Sequence, residues 1–577
     1  MAIGLAFCSL AAAQTSKPIA LTDADYVEFK TPDGDVCQDF TYAGLGASGG
    51  IFKAQGKTYD VTKFGASGDD GADDQPAIQK AVDAAIADGG GTVYLPDGVY
   101  HLNNTVDIRA GNIVIAGQSR KGTVVKLDNA ATGGGFYDAK AAFHFEGARK
   151  IDFTNRYLAA AAKRGQTVLQ IKDHGYKAGD VILHDEKVFN QLMLVQAVSG
   201  QSVTVDTPLR LDLGVADGKF RRYGVIRKVG VHSMTIETTR QLNTNGVNFY
   251  GVWQGYARDL LIRKAGRFPV GYNVSRFIEV RDCEFDDAWQ KGSGGVGYVG
   301  FWACADCLMD NVDVRNIRHG PNLQDGAIGC VIRNSRFVQS DLQWHTGAPT
   351  ACLIENVRVE LDGKKPDLHS AQLLRTSRPG IDTIHSPAGP GNVVWNSDFV
   401  AASAKVVGGE FGHEMTDWLF AYNRVVAPGG DTAFMRIWYE HAVRFTLRGN
   451  VLVKTDPARR GFVELVSDVG TAPKAASLPA SGPATRPADG AGVRFVGNRM
   501  FGWQAADGKW WAGAIAPVDE SNSLDPKTPE AVPQPKLPQD RDGKPVESLY
   551  AWQMKVKYGS TVSAAKPQDK QLLEGQQ

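Results

Sequence analysis

Short runs in which apolar and polar residues alternate, the period of a half-buried strand, recur along most of this chain. They read RDLLI (Arg258 to Ile262), RDCEF (Arg281 to Phe285), DNVDV (Asp310 to Val314) and RNSRF (Arg333 to Phe337). The series continues as ENVRV (Glu355 to Val359), WNSDF (Trp395 to Phe399), YNRVV (Tyr422 to Val426), GNVLV (Gly449 to Val453) and GNRMF (Gly497 to Phe501). The second position is Asp259, Asp282, Asn311, Asn334, Asn356, Asn396, Asn423, Asn450 or Asn498, at steps of 23, 29, 23, 22, 40, 27, 27 and 48 residues. Six of the eight steps lie between 22 and 29, and the two long ones carry insertions. Such a period in strand-like sequence predicts a solenoid in which each repeat is one coil stacked on the last.

Asparagine suits the corner of such a coil, because it tolerates a left-handed backbone and hydrogen-bonds its own neighbours. Stacked on successive coils, its amides can bond up the column. Four residues before three consecutive corners come Cys307, Cys330 and Cys352. Free cysteine is among the most buried residue types, so the expectation is a column of small apolar side chains. Cys304 and Cys307 form a lone CxxC, a weak zinc signal, and no metal is expected.

The N-terminal part differs. In YDVTKFGASGDDGADDQPAIQKAVDAAIADGGGTVYLPDGVY (Tyr59 to Tyr100), Asp74 is placed to cap a helix and Pro76 lies in its first turn. Ile78, Val82 and Ile86 form an apolar stripe, Gly89 to Gly91 stop the helix, TVYLP is a strand and Pro96-Asp97-Gly98 a turn. This segment resembles the opening of the pectate-lyase-like superfamily. The resemblance covers about residues 56 to 510 and implies a right-handed parallel β-helix whose open end the helix caps. RHGPNLQDG (Arg318 to Gly326), SDLQWHTG (Ser340 to Gly347), HSPAGPGNVVWN (His385 to Asn396) and DWLFAYNR (Asp417 to Arg424) resemble segments of bacterial carbohydrate-active β-helix proteins.

The expected class is thus all-β, with a capping helix and a small inserted β subdomain. Residues 1–13 contain GLAFCSLAAA and read as a secretory signal cleaved after Ala13, placing the protein in the secreted or periplasmic space. Residues 14–55 form an N-terminal extension, with CQDFTYAG (Cys37 to Gly44) along the outside, and 56–515 the β-helix. Alternating strands in 163–212 predict the insertion, 470–490 a Pro/Ala/Ser-rich loop, and 516–577 an extended tail. Glycine is 65 of 577 residues, high against a usual share of about 7%, as a turn-rich fold requires. The 63 basic and 63 acidic side chains leave no basic surplus, which argues against a nucleic-acid partner. No stretch is long and apolar enough to span a bilayer. Seven cysteines are too few for a disulfide-built scaffold of this size.

Counting back from the corner asparagines gives a polar column. Gln324 lies ten before Asn334, His345 eleven before Asn356, and His385 eleven before Asn396. His413 and Glu414 lie ten and nine before Asn423, and Glu440 and His441 ten and nine before Asn450. Matching positions on successive coils stack about 4.8 Å apart, so these residues are expected to line one groove. Trp302, Trp344, Trp438 and Tyr439 accompany them as faces on which sugar rings would stack, and Arg318, His319, Asn322, Arg436 and His441 as further substrate contacts.

Two chemistries fit such a groove. In β-elimination on a uronic-acid polysaccharide, a base such as His345 or His385 removes the C5 proton while arginines, including Arg375 and Arg378, neutralise the carboxylate. In glycoside hydrolysis, Glu414 and Glu440 would flank the bond as paired carboxylates. Histidine outnumbers carboxylate in the column, which favours the lyase. A calcium-assisted route would want a cluster of oxygen ligands, and the column shows none. A non-catalytic carbohydrate-binding solenoid is the third reading; it would keep the aromatics without the stacked His and Glu.

Overall fold

The computed structural model describes residues 29–46, 51–129, 139–150, 154–186, 189–216, 218–291, 296–361, 373–376, 388–402, 409–412, 415–429, 433–438, 442–456, 458–466, 492–503, 509–513 and 516–559. Each central coil contributes three short strands. One coil runs Leu308–Asp310, Asp313–Arg315 and His319–Gln324; the next runs Val331–Arg333, Arg336–Val338 and Asp341–Trp344. All three pair in parallel with their counterparts on the next coil. Pairing between coils begins at Lys57–Asp60 and continues to Ser523–Asp525. Parallel crossovers are right-handed in about 98% of cases, and the chain is a right-handed parallel β-helix. It continues past residue 515, where the sequence reading ended it: the strand Ser523–Asp525 still pairs in parallel with the preceding coil, although it is exposed throughout and holds a single apolar residue, Leu524.

Alternation inside each strand builds the core. The central residues of the second strands, Val314, Phe337, Val359, Phe399, Val425, Leu452 and Met500, are buried and in register, one column through seven coils. Their flanking residues, Val451 and Val453 apart, are partly exposed and pair across coils, as Arg336 does with Glu360 at 2.8 Å. Such half-exposed pairs contribute about 0–1 kcal/mol each, so the buried column holds this sheet.

The corner residues do stack, but in two registers. Asp259, Asp282, Asn311, Asn334, Asn356 and Asn396 are left-handed, with φ between 46° and 57°. Asn334 donates to Asp310, Asn356 to Asn334 and Asn396 to Asn356 at 2.8, 3.4 and 2.9 Å. In the later coils the left-handed residue is instead Tyr422, Gly449, Gly497 or Ser521. Trp395 pairs with Ala421 and Asp398 with Arg424, so Asn396 is level with Tyr422, and Asn423 with Ser397. Asn423, Asn450 and Asn498 therefore sit one position further along and are fully buried. The Asn450 amide donates to the Phe420 carbonyl and to Asn498, each at 2.9 Å, and its oxygen accepts from the Asn423 N–H at 2.9 Å. These side chains satisfy backbone groups that the corner takes out of the sheets.

Both flanks are covered. The capping helix spans Gln75–Ala87 and buries Ala77, Ile78, Ala81, Val82 and Ala85 over the first coil. Asp74 stands at its N-cap but makes no side-chain cap; its carboxylate accepts from the Ser67 and His101 N–H groups at 2.7 and 3.0 Å, tying the helix to the coil instead. Cys37, Phe40 and Ala43 lie with Leu549, Tyr550 and Met554 of the helix Leu549–Tyr558 against the outer face of the first sheet, at Leu308, Val331, Leu353 and Val393. Gln553 joins the two segments, accepting from the Phe40 N–H and donating to the Gln38 carbonyl at 2.9 and 2.8 Å. That double coverage explains why the strands of this sheet are buried on both sides.

Between Lys140–Glu146 and Ile226–Thr238 the chain leaves the solenoid for a seven-stranded sheet with its own core, including Leu169, Ile182, Met193, Val203 and Phe220. It begins at Arg149 and ends at Gly224, wider than the stretch read from the sequence, because its outer strands are too polar to signal themselves. Buried Arg276 grips Asp206 of the insertion at 2.7 Å and Asp306 of the solenoid at 2.8 Å. No helix among the described residues is long and apolar enough to cross a membrane. Residues 4–13 and 470–490 lie outside the described residues.

The two corner registers separate by mutation. Asn450→Ala should lower the unfolding free energy by about 1–3 kcal/mol, since buried backbone groups lose their partner. Asn311→Gly should change it by less than about 0.5 kcal/mol, because Asn311 is exposed and glycine accepts its left-handed backbone. Denaturant titration of the two variants checks both values.

Candidate functional site

The third sheet carries the candidate site. Its strands include Tyr298–Trp302, His319–Gln324, Asp341–Trp344, Leu374–Thr376, Gly409–Phe411, Met435–Trp438 and Val463–Val466. Leu342 and Trp344 belong to the core, so strand alternation turns Asp341, Gln343 and His345 to the other face. Leu323 is likewise a core residue and puts Asn322 and Gln324 outside. His319 and Asn322 are three residues apart and would face opposite ways in a regular strand. A register irregularity between them absorbs one residue, and both come to the outer face. Gly300 permits the close approach of the neighbouring strand, for a Cβ there would lie 1.8 Å from the Asn322 carbonyl oxygen.

Three rings gather on this face. Tyr298 and His319 have centroids 4.8 Å apart, Tyr298 and His345 5.3 Å, and His319 and His345 5.7 Å. Asp341 Oδ1 lies 2.6 Å from His319 Nδ1 and is itself braced by the Gln343 amide, which donates to Oδ2 at 3.0 Å. The Nδ1–H therefore points at the carboxylate, leaving Nε2 as the basic atom of a neutral ring. Burial holds His319 below the ordinary imidazole range, and the charges of Arg318 and Arg375 push the same way, against Asp341. Burial likewise keeps the Tyr298 phenol above its ordinary value, with Arg318, whose guanidinium stands 5.7 Å from the ring centroid, opposing. The Tyr298 hydroxyl is 3.5 Å from His345 Nε2, the outer limit of a hydrogen bond.

Next to the rings, Asn322 and Gln324 are 0% and 1% exposed, and neither side-chain amide has a hydrogen-bond partner. Leaving a buried polar group unpaired costs about 1–3 kcal/mol. Two such amides on the face that holds the rings are equipped to bond a guest rich in hydroxyl groups. The positions in register with Gln343 on later coils are Arg375, Glu410, Arg436 and Glu464, a line of alternating charge types, with Arg436 Nε 2.8 Å from Glu464. Trp438 lies half-buried beside Arg436, and its indole N–H has no partner.

Of the residues expected from the sequence, the structure brings together Arg318, His319, Asn322, Gln324 and His345, with Arg436 and Trp438 further along the same sheet. Trp302 and Trp344 are corrected: each is 1% exposed and belongs to the core, Trp302 against Phe268 at 4.4 Å and Trp344 against Trp418 at 4.8 Å. His385, His413, Glu414, Tyr439, Glu440 and His441 lie outside the described residues. Counting back from the corner does not reproduce the strand register, because insertions separate corner and third sheet by different lengths. Tyr298 and Asp341 were missed. For Asp341 the signal was present: the alternation in DLQWH puts Asp341, Gln343 and His345 on one face.

The family described as "Rhamnogalacturonase A/epimerase, pectate lyase-like" matches residues 58–188. Mannuronan C5-epimerase AlgE3 of Azotobacter vinelandii is 39% identical over 111 residues, 18% of this chain and 6% of that protein. Alginate lyase 7 of the same organism is 45% identical over 75 residues, 12% of this chain and 9% of that protein. The chain spans only a small part of these relatives, 14% of the length in the case of epimerase AlgE4. Among solved structures, the Pseudomonas phage phi297 tailspike gp61 aligns with 78% of this chain and 81% of its own at 12% identity and a TM-score of 0.49. The A-module of AlgE4 aligns with 81% and 96% at 14% identity and a TM-score of 0.29.

Core and groove residues should respond oppositely to substitution. Trp302→Ala should destabilise the fold by about 3–5 kcal/mol, the usual cost of emptying a core aromatic site. Asn322→Leu, which removes an unpaired amide at similar volume, should leave the melting temperature unchanged or raise it. A fall in melting temperature for Asn322→Leu would mark the amide as structural.

Proposed function

We propose that this pectate-lyase-like β-helix is an exported polysaccharide-modifying enzyme that removes the C5 proton of a uronic-acid residue and cleaves the chain by β-elimination. The observation that carries this reading is the His319–Asp341 pair, 2.6 Å apart, set among Tyr298, His345 and the cations Arg318 and Arg375. The activities that give the relatives their names, mannuronan epimerisation and alginate cleavage, lie in the same chemical class.

The geometry supports the following steps. Arg318 and Arg375 pair with the substrate carboxylate and stabilise the charge that builds on it as C5 loses its proton. His319 Nε2 takes that proton, its tautomer fixed by Asp341. This moves the base from His345 or His385, the choices the sequence favoured, to His319, the buried neighbour of His345. The C5–H electrons form the C4–C5 double bond and the C4–O4 bond breaks. Tyr298, kept neutral by burial, donates its proton to O4, and His345 Nε2 behind it is placed to restore that proton. Asn322, Gln324 and Trp438 would bind ring hydroxyls and a sugar face.

Epimerisation is the second reading, because the relatives' names include it and it shares the first step. There the proton returns to C5 from the opposite face and the chain stays intact. Incubation with uronate polysaccharides in deuterated water separates the outcomes. Ultraviolet absorbance from an unsaturated uronate means elimination, and deuterium at C5 without cleavage means epimerisation. New reducing ends with neither signal would overturn the proposal in favour of hydrolysis. Tyr298→Phe and His319→Ala should each lose about 10²–10⁴-fold in turnover, the range for general acids and bases.

The pH profile has a fixed sign. His319 must be neutral to act and is held below 6.5, while Tyr298 must be protonated and is held above 10.0. The kcat/KM profile, which reports the free enzyme, should therefore be a plateau whose acid limb lies below about 6.5 and whose basic limb lies above about 10. Stability is linked to the same group. Between its folded value and 6.5 the unfolded chain binds the proton more readily, so stability falls as pH drops through that window. A profile with its acid limb above 6.5 would remove His319 as the base.

A further inference from the structure

The cysteine column holds more than small side chains. Leu308, Val331 and Leu353 are in register, so Cys307, Cys330 and Cys352 immediately before them stack through three coils, each at most 1% exposed. As thiols they have acceptors: Cys307 donates to the Ala305 carbonyl at 3.3 Å, Cys330 to Ile328 at 3.5 Å and Cys352 to Thr350 at 3.4 Å. A stack of that kind would need no further explanation.

Two observations take it further. Cys304 comes from outside the column and sets its Sγ 3.9 Å from that of Cys330, so that Cys304, Cys307 and Cys330 present three sulfurs within 4.8 Å of one another. Three thiolates around one ion at a metal–sulfur distance of about 2.3 Å stand about 4.0 Å apart, close to this spacing. The second observation is Tyr272. It is fully buried, its hydroxyl has no hydrogen-bond partner, and it shares one core cluster with Cys304, Cys307 and Cys330. A fourth donor, an oxygen, thus stands unpaired in the same core cluster as the three thiols.

We propose that Cys304, Cys307 and Cys330, with the Tyr272 phenol, form a structural site for one thiophilic metal ion of the zinc(II) or copper(I) class, separate from the groove. Soft thiolate donors select such ions over calcium or magnesium. Each bound thiol releases its proton to solvent as the metal–sulfur bond forms, so the ion enters while the coils close rather than through the finished wall. Cys304 lies two residues beyond the strand Tyr298–Trp302, and Cys330 six beyond His319–Gln324. The ion would therefore pin the ends of the two strands that carry Tyr298 and His319.

The test uses the full chain. Metal content is measured as purified, then after unfolding with chelator and refolding with zinc(II), with copper(I) under reducing conditions, with cobalt(II), or with no metal. The expected result is one ion per chain, a thiolate-to-cobalt charge-transfer band, and a higher melting temperature for the metal-refolded chain than for the metal-free one. Cys304→Ala and Cys330→Ala should lose the ion, and Cys352→Ala, outside the cluster, should keep it. Refolding with zinc or copper alone giving the stabilisation identifies the ion. A chain that takes up no metal, a melting temperature indifferent to it, or a Cys304–Cys330 disulfide in the purified protein would each overturn the site. The readouts here are metal content, the cobalt band and the melting temperature, none of them activity, so the two proposals fail separately.

Discussion

The structure depends on one constraint: each coil must pair with the next in parallel, at about 4.8 Å, on three sheets at once. Every coil then has to turn its corners in the same place, and each backbone group lost from a sheet at a corner must find a partner. The asparagine ladder meets that demand. In the central coils it does so with left-handed asparagines bonded to one another; in the later coils it moves one position further along and bonds carbonyls of the neighbouring coil. Because the side-chain period of a strand is two, a corner fixed in this way also fixes which residues face the core on the strands that follow.

The third sheet is where that regularity is relaxed. The third sheet is reached through insertions of unequal length, and it contains register irregularities at Tyr298–Gly300 and at His319–Asn322. Those departures turn His319 and Asn322 to one face and gather three rings around a shared space. The same sheet keeps two amides buried and unpaired, a cost that packing alone would have removed. Regular coils supply a stiff frame, and the irregular strands supply the chemistry placed on it.

Stiffness comes from several directions. The two terminal segments lock together through Gln553 over the first sheet, and Arg333 and Glu355 beneath them are both fully buried, 3.2 Å apart. Arg276 and Asp306 of the solenoid clamp the insertion through Asp206 at 2.7 Å and Arg210 at 3.3 Å. Buried pairs of this kind specify an arrangement more than they add stability, since desolvation offsets much of their attraction. The thiol cluster belongs to the solenoid core, one of its cysteines two residues beyond the strand Tyr298–Trp302.

How much was legible in the chain depends on the range of the physics involved. The solenoid, its capping helix and the corner columns are repeated local signals, and the period of the strand motifs was enough to find them. The alternation in DLQWH, read alone, already places Asp341 with His345. Three features were decided only in three dimensions. Asn423 and its successors share the sequence motif of Asn396 but not its position, because the left-handed residue moves to Tyr422 and no local pattern records that shift. Trp302 and Trp344 look like groove aromatics in sequence, yet the core needed their volume. Tyr298, His319 and His345 meet although they come from three coils, because the strand register across the third sheet, rather than distance from a corner, sets which side chains are neighbours. Local chemistry along the chain determines the coil; the pairing of one coil with the next determines the site.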